Sequence, residues 1–296
     1  MQIPYLGEFT ALLVSFCWAA SSSAFEKASI KVGSLQVNFL RMIMAFLMLG
    51  IFGLVYRGSF FPDHAGVQQW LWLSVSGVIG FFIGDLFLFN ALTLIGARRT
   101  MLVMTFSPAL TALIGFFLLD ETLLLSHVLG ILLIITGILL AFLSKDKTPD
   151  ARSMSLRGLL IALGAALGQA FGLIFSKKGI GDYDPFAATQ IRIIAGFVFF
   201  VLLITVLRKW PHIVKASKDI PALKSIAVGS FFGPGLGVGL SMAAITLTGT
   251  GIASALMSLT PIILIAFALL KRKKVRTLEI IGAFLSVGGV LFLFLA

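Results

Sequence analysis

The chain has 296 residues, of which 59% are hydrophobic and 12% charged, whereas soluble domains average roughly 45–50% apolar and about 25% charged residues. This composition excludes an ordinary soluble protein and predicts a multi-pass membrane protein. The formal charge of +11 does not indicate nucleic-acid binding, because the basic residues cluster between apolar runs. The single cysteine, Cys17, permits no internal disulfide, and three scattered histidines form no ligand cluster. We therefore expect neither a metal site nor a cofactor.

Ten apolar runs are long enough to cross the hydrocarbon core, which needs about 20 residues. Irregular backbone cannot face lipid, and the runs lack the alternation of a transmembrane barrel, so each run predicts a helix. The predicted fold class is an all-α membrane protein with ten transmembrane helices. The runs cover residues 6–25, 35–56, 70–94, 97–119, 124–144, 156–176, 186–208, 222–247, 251–270 and 277–296.

The two halves of the chain resemble each other. The match predicts a first five-helix repeat at residues 1–144, a connecting loop at 145–155 and a second repeat at 156–296. Glycine, proline, lysine and arginine matches carry this inference, because chance matches among leucines and alanines are common in so apolar a sequence. At offsets of 151 to 153 residues, Gly7, Lys27, Arg41, Gly80, Gly84, Pro108, Gly130 and Gly137 recur as Gly158, Lys178, Arg192, Gly233, Gly237, Pro261, Gly282 and Gly289.

Each half contains an odd number of predicted spans, so the second half must enter the membrane from the opposite side, as in many secondary transporters. The distribution of charge supports these inverted repeats. Connections after the odd-numbered spans hold 18 lysines and arginines, whereas the alternate connections and both termini together hold three. The positive-inside rule then places the odd connections in the cytoplasm and both termini outside the cell (inner) membrane.

Asp85 is the most informative side chain, because a carboxylate in an apolar span costs roughly 2.5–3.5 kcal/mol to insert and usually faces the bundle interior. At about 1.5 Å per residue, Asp85 and Arg41 lie roughly 13 and 9 Å from the same predicted membrane face. The two could therefore pair. Asp85 is open to three interpretations: one half of a structural pair with Arg41, a gate or substrate contact, or, if unpaired, the site of a coupling proton.

Arg41 and Arg192 occupy matching positions near opposite predicted faces. Each is a candidate gate residue that could line one entrance and attract an anionic substrate, or it could extend to the nearest interface. Pro108 and Pro261 lie in repeat-related spans and are candidate hinges, or static kinks. Other polar or aromatic side chains are candidates for lining a substrate cavity, although small hydroxyls also serve helix packing. These candidates are Trp18, Ser22, Asn90, Thr105, Gln169, Ser241 and Ser258.

These features together resemble the EamA-type family of the drug/metabolite transporter superfamily. The resemblance covers nearly the whole chain and implies ten helices in two five-helix repeats, with a cavity formed mainly by spans one, three, four, six, eight and nine. Two departures are Gln169, where a second tryptophan is expected, and 271–274, which replaces an acidic turn. The motifs are Trp18 with Lys27, Arg41, Ser107-Pro108, Leu119-Asp120-Glu121, Gly130 and Gly137, then Lys178, Arg192, Thr260-Pro261, Gly282 and Gly289.

The resemblance implies transport of small metabolites, often export of amino acids or related compounds. Because the sequence has no glycine-rich phosphate loop of the ATPase type, we expect an ion gradient or the substrate's own gradient to drive transport. The expected partners are a small-molecule substrate and the lipid bilayer, with a proton as a candidate coupling ion and no oligomeric state assigned. A passive channel, a lipid scramblase, a membrane-embedded enzyme and a non-transporting membrane protein stay open as alternatives.

Overall fold

The computed structural model describes residues 5–118, 124–144, 154–248 and 250–294, and within these ranges the secondary structure is helical with no strand. The Leu119-Asp120-Glu121 motif and most of the predicted connecting loop lie outside the described residues. Seven described helical stretches are long and apolar enough to cross a membrane, and two further apolar helices are shorter. The chain is therefore a helical multi-pass membrane protein.

The described residues of the first half form six α-helices and one π-helical segment, π1. Their bounds are α1 Leu6–Val32, α2 Ser34–Arg57, α3 Val67–Ser76, π1 Gly77–Gly84, α4 Asp85–Met104, α5 Phe106–Leu118 and α6 Leu125–Leu143.

In the part of the second half that the structure describes, eight α-helices and a second π-helical segment, π2, are present. They are α7 Leu156–Ile180, α8 Pro185–Val206, α9 Trp210–Ser217, α10 Ile220–Ser230, π2 Phe231–Gly237, α11 Val238–Thr248, α12 Thr250–Met257, α13 Thr260–Leu270 and α14 Thr277–Phe294. The short helix α9 lies in a stretch that the sequence left as a connection.

A sharp break divides α4 at Gly96, whose φ of 80° and ψ of 162° are not helical. Few side chains tolerate such a positive φ, which explains why glycine stands here. The predicted boundary between the third and fourth apolar runs, at residues 94–97, falls at this break. A new helical stretch therefore starts at Ala97, whose N–H donates to Glu26 Oε2 at 2.9 Å.

Two further interruptions follow from prolines. Helix α4 ends at Met104 and α12 ends at Met257, four residues before Pro108 and Pro261 respectively. A proline has no N–H to donate to the carbonyl four residues earlier, so each helix loses a hydrogen bond there. Both candidate hinge prolines therefore stand just after a real interruption of the helix.

The π-helical segments π1 and π2 occupy equivalent positions in the two halves. Each is rich in glycine and continues directly into the next α-helix, at Asp85 and Val238 respectively. A π-turn inserts extra backbone and is common at functional sites. Asp85 is thus the first residue after the irregular segment in the first half.

Equivalent helices of the two halves cross each other antiparallel. A Cβ atom added to Gly130 would lie 2.6 Å from Gly289 O, and one added to Gly137 would lie 2.4 Å from Gly282 O. The backbones of α6 and α14 therefore touch, with nothing larger than hydrogen between them. In the α2–α8 pair, stacked rings of Phe39 and Phe197 have centroids 5.1 Å apart.

Helices α1 and α7 each pack against elements of the opposite half of the chain. Helix α1 packs along α10, π2 and α11, and its equivalent α7 packs along α3, π1 and α4. Matching serine bonds join these groups: Ser21 Oγ donates to Gly229 O at 2.8 Å, and Ser76 Oγ donates to Gly172 O at 2.5 Å. Each half therefore completes its packing with a helix from the other.

The connections between helices lie at the two ends of the bundle, and polar contacts join connections that share an end. At the end that carries Gly96, the Gly96 end, Lys31 Nζ donates to Asp219 Oδ1 at 2.7 Å and lowers the pKa of that carboxyl. At the other end, the Tyr183 end, Tyr183 Oη donates to the backbone of Asp63 at 2.7 Å, and burial raises the pKa of Tyr183. The connections after α1 and α9 thus share one end.

Candidate functional site

A buried ion pair joins Asp85, at the start of α4, to Arg41 in α2. The Nη2 atom of Arg41 donates to Asp85 Oδ2, and Nε of Arg41 donates to Asn38 Oδ1 at 3.0 Å. The amide of Asn38 in turn donates to the backbone carbonyl of Asp85 at 2.8 Å. Asp85 is 3% exposed, Arg41 8% and Asn38 0%. Three polar side chains thus form a closed network in an apolar interior.

The second half of the chain completes this network. Gln169 of α7 donates from Nε2 to Asp85 Oδ1 at 3.2 Å. Arg192 of α8 lies near enough for its charge to act on the Asp85 carboxylate. We refer to Asn38, Arg41, Asp85, Gln169 and Arg192 as the central cluster. It contains two arginines and one carboxylate, contributed by both halves.

Arg41 and Arg192 stand at equivalent positions of the antiparallel helices α2 and α8, and an arginine side chain is long enough to reach inward from its helix. The charges of both arginines act on the same acid, Asp85. That each arginine lines one entrance or extends to the nearest interface stays a prediction.

Aromatic rings cover the arginines. The guanidinium carbon of Arg41 lies 4.9 Å from the ring centroid of Phe89 and 5.9 Å from that of Phe25. That of Arg192 lies 4.3 Å from the centroid of Phe81, a residue of π1. Ring faces attract cations and exclude water, so the charges of the central cluster interact in a medium of low dielectric constant.

Glycines allow α8 and α7 to reach this cluster. A Cβ added to Gly77 would lie 2.2 Å from Arg192 O, and one added to Gly84 would lie 3.3 Å from the backbone of Gly168. The π1 segment, with glycine at three of its eight positions, is therefore packed backbone to backbone against the helices that supply Gln169 and Arg192.

The contact between Asp85 and Gln169 has no polar equivalent at the repeat-related positions. With the repeat offset of 153, the position of Asp85 corresponds to Val238, and with 151 that of Gln169 corresponds to Trp18. The indole of Trp18 comes within 3.6 Å of a Cβ built on Gly237, the last residue of π2. An acid–amide contact on one side of the bundle is thus matched by an apolar contact on the other.

The other predicted cavity residues do not join the central cluster. Four hydroxyls bond to their own helices: Ser22 to Ala19 O, Thr105 to Leu102 O, Ser241 to Gly237 O and Ser258 to Ala255 O. Trp18 is 37% exposed, and Asn90 is also exposed.

A second ionic cluster lies at the Gly96 end. Glu279, 1% exposed at the start of α14, pairs with Arg98 and Arg99. Nearby, Glu26 Oε2 accepts a hydrogen bond from the N–H of Ala97, where the helical stretch after Gly96 starts. These contacts fasten α1, α4 and α14 together at that end. At the repeat-related positions, Glu26 corresponds to Lys177 of the second half and Glu279 to His127 of the first half.

An apolar cleft of about 270 Å³ lies between α2 and α8. Three of its pairs of lining residues are equivalent in the two repeats, so the cleft sits where the halves meet. The lining residues are Met42, Ile43, Phe46, Leu47, Ile193, Ile194 and Phe197.

Asn38 and Glu279 were not predicted from the sequence. Asn38 precedes Arg41 by three residues and therefore shares its helix face, a spacing that could have indicated it. Glu279 gave no such signal, because it stands at the end of an apolar run, where exposed charges are common. Within the described ranges, no group of histidine, cysteine and acidic residues could hold a metal ion.

Comparison with known proteins gives consistent matches. The EamA-like transporter family matches residues 5–143 and 156–295. The uncharacterized transporter YyaM of Bacillus subtilis (strain 168) is 25% identical over 224 residues, covering 73% of this chain and 70% of that protein. Human solute carrier family 35 member G1 is 27% identical over 214 residues, 70% of this chain and 57% of that longer protein.

Two further matches extend over almost the whole chain. A WAT1-related, chloroplastic protein of Arabidopsis thaliana is 26% identical over 293 residues, covering 96% of this chain and 68% of that protein. A solved crystal structure superposes with a TM-score of 0.66 at 18% identity, covering 98% of this chain and 96% of the other. The crystal structure supports the fold alone, and the matched relatives are transporters rather than enzymes.

Proposed function

Because the chain belongs to the EamA-like transporter family, we propose that it is a secondary transporter, working as an exporter of small metabolites such as amino acids or related compounds. Its substrate is exposed alternately to the two membrane faces at a central site between the halves. The observation that carries this proposal is the central cluster, in which Asp85 of one half is held by Gln169 of the other. Polar residues at the interface of two repeats are where transporters of this plan bind substrate.

The proposal includes ten transmembrane helices in two inverted repeats. It is supported by the antiparallel crossings of the equivalent pairs α6–α14 and α2–α8, since equivalent helices of parallel repeats would run in the same direction. The alternation of polar contacts between the Gly96 end and the Tyr183 end supports the same plan.

The proposal also places the protein in the cell (inner) membrane with both termini outside. The excess of basic residues in the connections of the Gly96 end supports this orientation, because positive loops stay in the cytoplasm. A periplasmically active reporter fused after the last residue should be active. Activity of a cytoplasmic reporter at that position instead would overturn the orientation.

The transport proposal is tested with purified protein in liposomes. Vesicles loaded with an unlabelled amino-acid mixture should accumulate labelled amino acid from outside, and the initial rate should saturate with concentration. Protein-free vesicles and vesicles containing the Asp85→Ala variant serve as controls.

Two results would contradict alternating access. Flux that rises linearly with concentration and shows no counterflow would indicate a channel. Movement of a fluorescent lipid between leaflets without solute flux would indicate a scramblase.

A further inference from the structure

The central cluster carries unequal numbers of opposite charges. Its two guanidinium groups, from Arg41 and Arg192, face the single carboxylate of Asp85, so its formal charge is +1. An uncompensated charge inside a membrane protein is expensive, whereas a paired and hydrogen-bonded one is tolerated. The cluster as it stands therefore favours the approach of one further negative charge.

The unpaired charge belongs to Arg192. The oxygens of Asp85 already accept from Arg41 at Oδ2 and from Gln169 at Oδ1. Within the described part of the chain, Nε of Arg192 is buried and has no hydrogen-bond partner. The charge of Arg192 thus interacts with Asp85 without donating a hydrogen bond to it, whereas Arg41 donates to both Asp85 and Asn38.

The guanidinium of Arg192 is also held in place before any ligand arrives. Its backbone packs against Gly77, its guanidinium lies over the ring of Phe81, and its Nη2 lies 3.4 Å from a Cβ built on Gly80. A fixed guanidinium presents two parallel N–H groups that match the two oxygens of a carboxylate. Little side-chain entropy is then lost when the ligand binds.

We propose that Arg192 binds the carboxylate of the transported solute and that the substrates are small organic anions. This inference rests on the proposed transport function and narrows its substrate class from metabolites in general to compounds with a net negative charge. Arg41 and Asp85 form the neutral pair beside the site, and Gln169 donates to the other oxygen of the Asp85 carboxylate. A cationic or neutral solute would leave the Arg192 charge uncompensated.

The test measures ligand binding, separately from transport. The melting temperature of the purified full-length protein in detergent is followed with a panel of carboxylates (benzoate, succinate, citrate and N-acetylglutamate), with benzamide and succinamide as uncharged counterparts, and with 1,4-diaminobutane as a cation. At least one carboxylate should raise the melting temperature at millimolar concentration, and its amide should not.

Three variants assign the effect to the guanidinium. Arg192→Gln should weaken the apparent affinity for the stabilising carboxylate by about tenfold or more, the scale of a charge-assisted bond. Arg192→Lys keeps the charge without the planar fork and should bind with intermediate affinity, which preserves the test if the glutamine variant does not fold. Arg208→Gln makes the same charge change at an exposed residue and should bind like the unmodified protein.

The proposal is overturned if no carboxylate of the panel stabilises the protein, if the amide or the diamine stabilises it equally, or if both Arg192 variants bind as the unmodified protein does. Failure of the transport proposal gives a different result: the carboxylate binds through Arg192 but shows no counterflow in vesicles. Conversely, saturable transport of an amine at a rate that Arg192→Gln does not change would support the transport proposal and contradict the anion site.

Discussion

Gln169 holds the carboxylate of Asp85 across the interface of the two halves, with Nε2 and Oδ1 separated by 3.2 Å. The same carboxylate is bonded to Arg41 within its own half. Asp85 of α4 therefore joins α2 of its own half to α7 of the other half through a single carboxylate.

Replacing Asp85 with asparagine should destabilise the protein more than any other single change in the central cluster. The substitution leaves the guanidinium groups of Arg41 and Arg192 without a counter-charge, and breaking a buried pair such as Asp85–Arg41 typically costs about 3–5 kcal/mol. Thermal and denaturant unfolding in detergent would measure the loss. Asp182→Asn, the same change at an exposed residue, is the matched control, and equal stability of the two variants would contradict the buried pair.

Adding one methyl group to Gly137 should loosen the α6–α14 crossing. Its Cβ would lie 2.3 Å from Ser286 Oγ and 2.4 Å from Gly282 O, so the helices must separate, at a cost of about 1–3 kcal/mol. Gly288 lies on α14 with nothing within 4 Å of its Cβ position. Gly288→Ala should be neutral or slightly stabilising, because alanine favours helix. Equal melting temperatures of the two variants would contradict the close contact between α6 and α14.

The contact between Lys31 and Asp219 should make the stability of the protein depend on pH in the acid range. The hydrogen bond from Lys31, with that from the Ala222 N–H, lowers the pKa of Asp219. The resulting stability is present above the ordinary carboxyl pKa of about 3.9 and is lost as pH falls through the lowered folded-state value. Asp219→Asn keeps a helix N-cap but removes the charge.

Melting temperatures of the unmodified protein and Asp219→Asn should therefore differ near neutral pH and converge in acid. The Lys31→Gln variant should show the same convergence. A difference that grows as the pH falls would have the wrong sign for a carboxyl group with a lowered pKa.

Replacing Glu279 with glutamine should make buried residues at the Gly96 end more accessible to water. The change leaves Arg98 and Arg99 without their shared carboxylate. In a Cys17→Ala background, Thr100→Cys provides a probe at a residue that is 0% exposed. A charged maleimide should label this cysteine several-fold faster when Glu279→Gln is present, and Asp182→Asn should not change the rate. Unchanged labelling would show that these ion pairs do not close that end.

Much of the architecture follows from the sequence because apolar runs and proline breaks act locally. The boundary near Gly96 and the interruptions before Pro108 and Pro261 could be located from residue types alone. Asp85 and Arg41 could be placed at similar depth by counting residues along two helices. Depth, however, gives no direction around a helix axis, so the sequence left open whether the two side chains would meet.

The rest of the site depends on long-range packing. The π-helical segments turn Asp85 toward α7, and no residue pattern used in the sequence analysis signals a π-turn. The approach of Arg192 depends on Gly77 and on the antiparallel pairing of α2 with α8, which the repeat offset alone does not provide. Gln169 was identified as a departure from the family pattern, and its contact with Asp85 gives that departure a structural role.

The unequal residues at Asp85 and Val238 have an evolutionary consequence. In a dimer of identical five-helix subunits, every substitution appears on both sides of the symmetry axis, so a second acid would accompany the first and two arginines would face two carboxylates. Within one continuous chain the equivalent positions can diverge, as Asp85 and Gln169 have from Val238 and Trp18. A single chain that contains both repeats can therefore have a positively charged centre with one acid. A symmetric dimer of five-helix subunits cannot.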